Sequence, residues 1–154
     1  MNKLKVISLL LLIFIGTGCS SVKTTSSQEK EAKAISKFLV DFEKAVISHD
    51  SKELLKLIDR NYLDEQCYGF LNGNTEQFIN ELFCGNLTNE DKFQCLAFSQ
   101  IDKLELVEQE KQFDGSYTVV YKVSANGAEI NADWRIVVNT VKGKIICGLE
   151  GPRG

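Results

Sequence analysis

Two periodicities divide the chain. From Glu29 onward apolar residues recur every three or four positions, as Ala34 or Ile35, Phe38, Leu39, Phe42, Ala45 and Val46, with Lys33, Lys37, Asp41, Glu43 and Lys44 between them. That spacing predicts an amphipathic helix with one apolar face, ending near Ser48 and His49. Asp50-Ser51-Lys52-Glu53 then reads as a capping box, with Asp50 accepting from the new helix and Glu53 reaching back. Leu54, Leu55, Leu57 and Ile58 are the apolar part of this second, short helix. Residues 61–70 keep no clear period, and Gly69 and Gly73 interrupt them. Asn74-Thr75-Glu76-Gln77 opens a further helix by the same capping logic, with Phe78, Ile79, Leu82 and Phe83 as its stripe and an end near Gly85. Residues 86–91 are polar and turn-like. Phe93, Cys95, Leu96 and Phe98 lead into the second half.

There the period falls to two. Tyr117, Val119, Tyr121 and Val123 alternate with Thr118, Val120, Lys122 and Ser124, and Ile130, Ala132, Trp134, Ile136 and Val138 form a second alternating set. Asn126-Gly127 between them is the preferred pair for a two-residue type I′ hairpin. Such a turn sets Ala125 against Ala128, Val123 against Ile130, Tyr121 against Ala132 and Val119 against Trp134, with both apolar sets on one face. Lys142-Gly143 predicts a second tight hairpin, which would place Val138 against Cys147 and put Cys147 on the core face. Residues 104–112 supply the first strand, but a two-residue turn at Asp114-Gly115 would put Glu108 and Glu110 opposite Tyr121 and Val119. A bulge, a longer loop or an exposed end is therefore expected there. The expected fold class is α+β, with N-terminal helices packed on a curved antiparallel sheet of about four strands, in a single domain over residues 29–154.

The start of the chain follows neither period. Lys3 and Lys5 precede a run of Leu, Ile, Val and Phe from Val6 to Ile15, with only Ser8 polar, followed by Gly16, Thr17, Gly18 and Cys19. A run of about ten is too short to span a bilayer as a helix, which takes roughly 20 residues. The order basic, apolar, small, cysteine resembles the signal peptide of a bacterial lipoprotein. That resemblance implies cleavage after residue 18, lipid on Cys19 and attachment to a membrane of the cell envelope. Either membrane or leaflet stays open. Residues 19–28, rich in Ser and Thr, then read as a flexible tether. Removing 18 of the 154 residues leaves 136, enough for one domain with a real core. It also takes two lysines and no acid, so the net charge moves from −3 to −5. No basic block remains, so nucleic acid is not an expected partner, and the lipid has to supply the membrane affinity.

Four further cysteines, Cys67, Cys84, Cys95 and Cys147, suit two disulfides in an oxidising compartment, with three connectivities open. The short polar turn between them favours Cys84 with Cys95. Cys67 with Cys147 would then tie the helices to the last strand. The spacing matches no zinc or thiol-redox motif, and no cofactor or metal is expected. His49 is the sole histidine, next to a predicted helix end, and is read as solvating that end.

The long first helix, the capped helix within "ISHDSKELLKLI", further helical material and then long strands resemble the nuclear transport factor 2-like superfamily over about residues 29–149. The resemblance implies a cone whose interior hosts catalysis in some members and binding or dimerisation in others. Phe38, Phe42, Tyr117, Tyr121 and Trp134 are the candidate pocket lining. An isomerase- or dehydratase-type enzyme would draw on Tyr121 with Asp41. The preferred expectation is a non-catalytic module that binds a small ligand or an envelope protein; the alternatives are that enzyme, or a structural accessory subunit forming a homodimer through its sheet.

Overall fold

The protein is described as a computed structural model covering residues 26–86, 93–126 and 128–150, with side chains over 26–84, 96–126 and 134–147. The expected signal peptide and Cys19 lie outside the described residues. The fold is α+β. Helices α1 (Ser26–Ile47), α2 (Ser51–Lys56), α3 (Arg60–Leu63) and α4 (Thr75–Glu81) come first, with a π-helical turn, Asp64–Tyr68, between α3 and α4. A small ladder of β1 (Cys84–Asn86) and β2 (Phe93–Cys95) follows. A 3-10 turn, Phe98–Gln100, leads into a four-stranded antiparallel meander. Its strands are β3 (Ile101–Lys111), β4 (Tyr117–Ala125), β5 (Ala128–Asn139) and β6 (Lys144–Glu150), hydrogen-bonded in that order.

The two periodicities meet in one core. The predicted stripe of α1 is its buried face: Ile35, Phe38, Leu39, Phe42, Ala45 and Val46. Against it stand Val119, Tyr121 and Val123 of β4 and Trp134, Ile136 and Val138 of β5, all at most 1% exposed. Phe42 lies 5.6 Å from the Tyr121 ring, and Phe83, just beyond α4, lies 6.3 Å from Trp134. Truncating a core aromatic such as Phe42 to Ala costs about 3–5 kcal/mol. Helix α1 starts earlier than its period implies, so Ser26, Ser27 and Gln28 belong to the helix and not to the tether.

The central hairpin follows its turn chemistry near the turn and drifts beyond it, whereas the two outer hairpins depart at the turn itself. Asn126 has φ 53°, as the first central residue of a type I′ turn requires, and Ala125 pairs with Ala128 and Val123 with Ile130. Past Lys122 the ladder shifts by two, so Tyr121 pairs with Trp134 and Val119 with Ile136. An even shift leaves every side chain on its expected face. At the second hairpin the loop holds four residues, 140–143, with Asn139 Oδ1 accepting from the Lys142 N–H at 3.0 Å. Val138 consequently pairs with Ile145, and an extra residue in β6 sets Cys147 against Val137. That is the face away from Trp134, so the expected core position of Cys147 is corrected by a bulge of one. The first hairpin has a five-residue loop, 112–116, closed by the Gln112 N–H on the Ser116 carbonyl at 2.8 Å. A bulge at Val107 completes the departure from a two-residue turn.

Helix junctions carry most of the polar bonding. Asp50 Oδ1 accepts from the N–H groups of Lys52 and Glu53, as a cap does. Glu53 does not reach back, because the Asp50 N–H is already held by the Ala45 carbonyl at 2.9 Å and the Glu53 carboxylate takes Lys56. Asp59 is the other junction. Its N–H donates to the Ile145 carbonyl at 2.7 Å, and the Ile145 N–H donates to the Leu57 carbonyl at 2.7 Å. Its carboxylate accepts from the Asn61 N–H at 3.0 Å and from Lys142 Nζ at 2.8 Å. The chain between α2 and α3 is thus stitched to β6.

The Lys142 bond, assisted by the Asn61 N–H, holds the Asp59 carboxyl below the usual aspartate value of 3.8. A carboxyl whose folded pKa is depressed stabilises the fold above its unfolded pKa, and that contribution fades as pH falls through the folded value. Asp59→Asn is expected to lower Tm at pH 7, with the gap to the native chain closing as pH falls below about 4. A gap that stays constant down to pH 2 in thermal melts would contradict this.

Candidate functional site

The residues expected to line a cone pocket form core instead. Phe38, Phe42, Tyr121 and Trp134 are at most 3% exposed, and Tyr117 is half-buried against the same cluster. Phe38 stacks on Phe42 at 5.8 Å with nearly parallel rings, and Phe42 leans on Tyr121. The Tyr121 hydroxyl and the Trp134 indole N–H are buried with no hydrogen-bond partner among the described residues. Burial first, then the carboxylate of Glu43, pushes the Tyr121 pKa far above its normal value. It therefore stays protonated at any working pH. Asp41 is not its partner. The Asp41 carboxylate pairs with Lys37 one turn back and is 41% exposed, because it precedes Phe42 on the helix and so leaves the apolar stripe. The pair on which an enzyme reading rests is not assembled.

The cysteines divide. Cys84 is disulfide-bonded and stands directly opposite Cys95 in the β1–β2 ladder. Cys67 and Cys147 are free thiols, which corrects the second expected bond. Cys67 lies in the π-helical turn, fully buried, while the bulge in β6 sends Cys147 to the opposite face of the sheet. Burial, with the Asp64 carboxylate adding to it, raises the Cys67 thiol pKa and keeps it neutral.

An open concavity lies elsewhere, at the junction of α1 with α2. There α1 ends in a Schellman motif: the His49 N–H donates to Val46 and the Asp50 N–H to Ala45. The residue after the cap takes the left-handed region, where glycine is usual; here it is His49, with φ 54°. Two contacts hold that conformation. His49 Nε2 lies 2.7 Å from the Ile101 carbonyl, 52 residues away, and the ring meets Phe98 edge-on at 5.8 Å. Because a carbonyl only accepts, Nε2 carries the proton, and Nδ1 is an acceptor in the neutral ring. His49 therefore ties the helical layer to β3, a larger role than solvating a helix end.

Beside it opens a cleft of about 410 Å³ between α2, α4 and the 3-10 turn. Leu55, Ile79 and Phe98 supply its apolar wall, and Ser51, Glu76 and Ser99 are polar groups at its edge. Asn80 fixes the far side by accepting the Phe98 N–H on Oδ1 at 3.0 Å. The volume suits a small molecule, and an apolar wall with a few polar groups is the usual make-up of such sites. Sequence reasoning missed this cleft. Its one local signal is a histidine where glycine would ordinarily follow a helix. Among the described residues no group of three His, Cys, Asp or Glu is placed to hold a metal ion, and no helix is long and apolar enough to cross a membrane.

No protein-family model, no curated protein and no solved structure matches the chain.

Two outcomes test this arrangement. Tyr121→Phe removes a buried hydroxyl that makes no hydrogen bond of normal geometry among the described residues and has only the nearby Glu43 carboxylate to lose, so stability is expected to stay within about 1 kcal/mol or to rise; a loss of several kcal/mol in urea unfolding would show that the Glu43 contact at Oη is a bond of consequence. Alkylation of the native, unreduced chain is expected to label Cys147 and spare Cys67 and Cys84, with Cys67 reacting only after denaturation and Cys84 only after reduction as well, read by peptide mass spectrometry.

Proposed function

We propose that the chain is a lipid-anchored protein of a bacterial cell envelope whose domain, of the nuclear transport factor 2-like kind, binds a small amphipathic ligand without transforming it. The anchor rests on the order of residues 1–19 and on Cys19 as the lipid-bearing thiol. Binding is supported by one observation above the others: the core aromatics are buried, while Leu55, Ile79 and Phe98 meet polar groups in the open His49–Phe98 cleft. A ligand there would lay its apolar body on Leu55, Ile79 and Phe98. Ser51, Ser99 and the second ring nitrogen of His49 would offer hydrogen bonds to its polar end.

Ser99 lines the cleft yet is exposed, so a large residue can be placed there without disturbing the core. A ligand-observed NMR screen of small amphipathic compounds is expected to give binders that Ser99→Trp abolishes, with Tm of the unliganded variant unchanged. Binders indifferent to Ser99→Trp would refute the cleft as the site. Mass spectrometry of the chain taken from membranes tests the anchor separately: diacylglyceryl-modified Cys19 is expected, and an unmodified Cys19 would end that reading.

A further inference from the structure

The described chain begins at one end of the sheet. Lys111 Nζ, at the end of β3, binds Glu31 of α1 at 2.6 Å, and His49, beyond the other end of α1, binds the carbonyl of Ile101 at the start of β3. Helix and strand thus run antiparallel along one another for about 30 Å, at 1.5 Å per helical residue. At the Ser26 end, residues Ser27, Lys30 and Ala34 share a groove with Asp114 and Gly115 of the β3–β4 loop and Val141 of the β5–β6 loop. Each of these two loops holds a large apolar residue out into solvent. Phe113 is 112% exposed and Val141 is 96% exposed, well beyond the other exposed apolar residues described. Exposure to that degree means that no described part of the fold packs on either side chain.

We infer that Phe113 and Val141 insert into the bilayer surface and set the domain upright on the membrane. This rests on the lipid anchor proposed for Cys19. Ser26 follows Cys19 by seven positions, a length of chain that reaches at most about 25 Å. The end of the molecule that carries both tips is therefore the end the anchor holds at the membrane. Apolar groups inserted at that boundary sit about 5–10 Å deep, among headgroups and first methylenes. The two lysines that flank the tips are paired, Lys111 with Glu31 and Lys142 with Asp59, and the further charges that line the groove, Lys30 and Asp114, are of opposite sign. Binding is accordingly apolar, indifferent to anionic lipid and to salt. The His49–Phe98 cleft then lies at the far end of α1, facing away from the bilayer.

The test places tryptophan at a tip. The lipidated full chain bearing Phe113→Trp is reconstituted in phosphatidylcholine vesicles with and without lipid brominated at shallow acyl positions, and the emission of native Trp134 is subtracted using the parent chain. Lys52→Trp, exposed at the other end of α1, is the control. Bromolipid is expected to quench the tip tryptophan by about half, given burial at that depth, with little effect on the control tryptophan. The same ratio is expected with phosphatidylglycerol added and at high salt. Equal quenching in both variants, or none in Phe113→Trp, overturns the proposal. A blue shift of the tip tryptophan without bromolipid quenching also overturns it, by showing that a second copy or another protein covers the tips. To separate this from failure of the anchor, residues 19–154 carrying six N-terminal histidines in place of 1–18 are held on nickel-chelating vesicles. Quenching of the tip tryptophan there upholds the insertion even if Cys19 of the native chain bears no lipid, and absence of quenching there refutes it even if Cys19 is lipidated.

Discussion

A single line of ring contacts carries the structure. Phe38 stacks on Phe42 within α1, Phe42 meets Tyr121 of β4, Tyr121 is paired across the ladder with Trp134 of β5, and Trp134 meets Phe83 after α4. Phe83 stacks on Phe98 at 5.8 Å, and Phe98 receives the edge of His49. Each aromatic pair adds about 0.5–1.5 kcal/mol beyond the area it buries. More important is what the line joins. It begins in the middle of α1, runs along the core face of the sheet and returns to the turn that closes the same helix. The cost is two polar atoms, on Tyr121 and Trp134, buried without a hydrogen-bond partner among the described residues, although the Glu43 carboxylate lies near enough to raise the Tyr121 pKa. A core so filled keeps these rings out of a ligand's reach, and the outer end of the line, at Phe98 and His49, becomes the wall of a cleft.

The sheet is protected by composition where it is not covered. Strand β3 lies at the edge of the meander, and from Glu105 to Lys111 all of its residues are exposed. A long bare edge invites pairing with another chain. Here Lys103, Glu105, Glu108, Glu110 and Lys111 line it, and the bulge at Val107 interrupts its ladder. Both are recognised ways to discourage edge-to-edge growth. The acids that make this strand look out of register against β4 are the ones that guard its edge.

What could be read from the sequence was whatever depends on neighbours in the chain. The α1 stripe, the Asp50 and Asn74 caps and the Asn126 turn are local events, and each is set by side chains within a few residues. Register was legible only near the Asn126 turn. The shift past Lys122 did no harm because it was even, whereas the single extra residue in β6 reversed the face of Cys147 and with it the expected disulfide. No periodicity announces a bulge, since it costs a ladder bond and leaves the pattern of residue types untouched. The cleft was illegible for a different reason. It gathers residues from around 49–55, 75–80 and 97–99, which meet only when α4 and the 3-10 turn close on α2.

His49 shows how one backbone choice couples these levels. A glycine after the helix would reach the left-handed region at no steric cost, and would leave the turn free to swing. A side chain there carries strain of about 1–2 kcal/mol, which persists only where other contacts outweigh it. The bond to Ile101 and the face of Phe98 are those contacts, and both come from the strand and turn on which the sheet begins. The junction of α1 with α2 is thus tied to the sheet as well as held by the helices' own bonds. Asn80 of α4 accepts the N–H of the same Phe98, so both sides of the cleft are referred to one 3-10 turn, at the end of the molecule where α1 terminates.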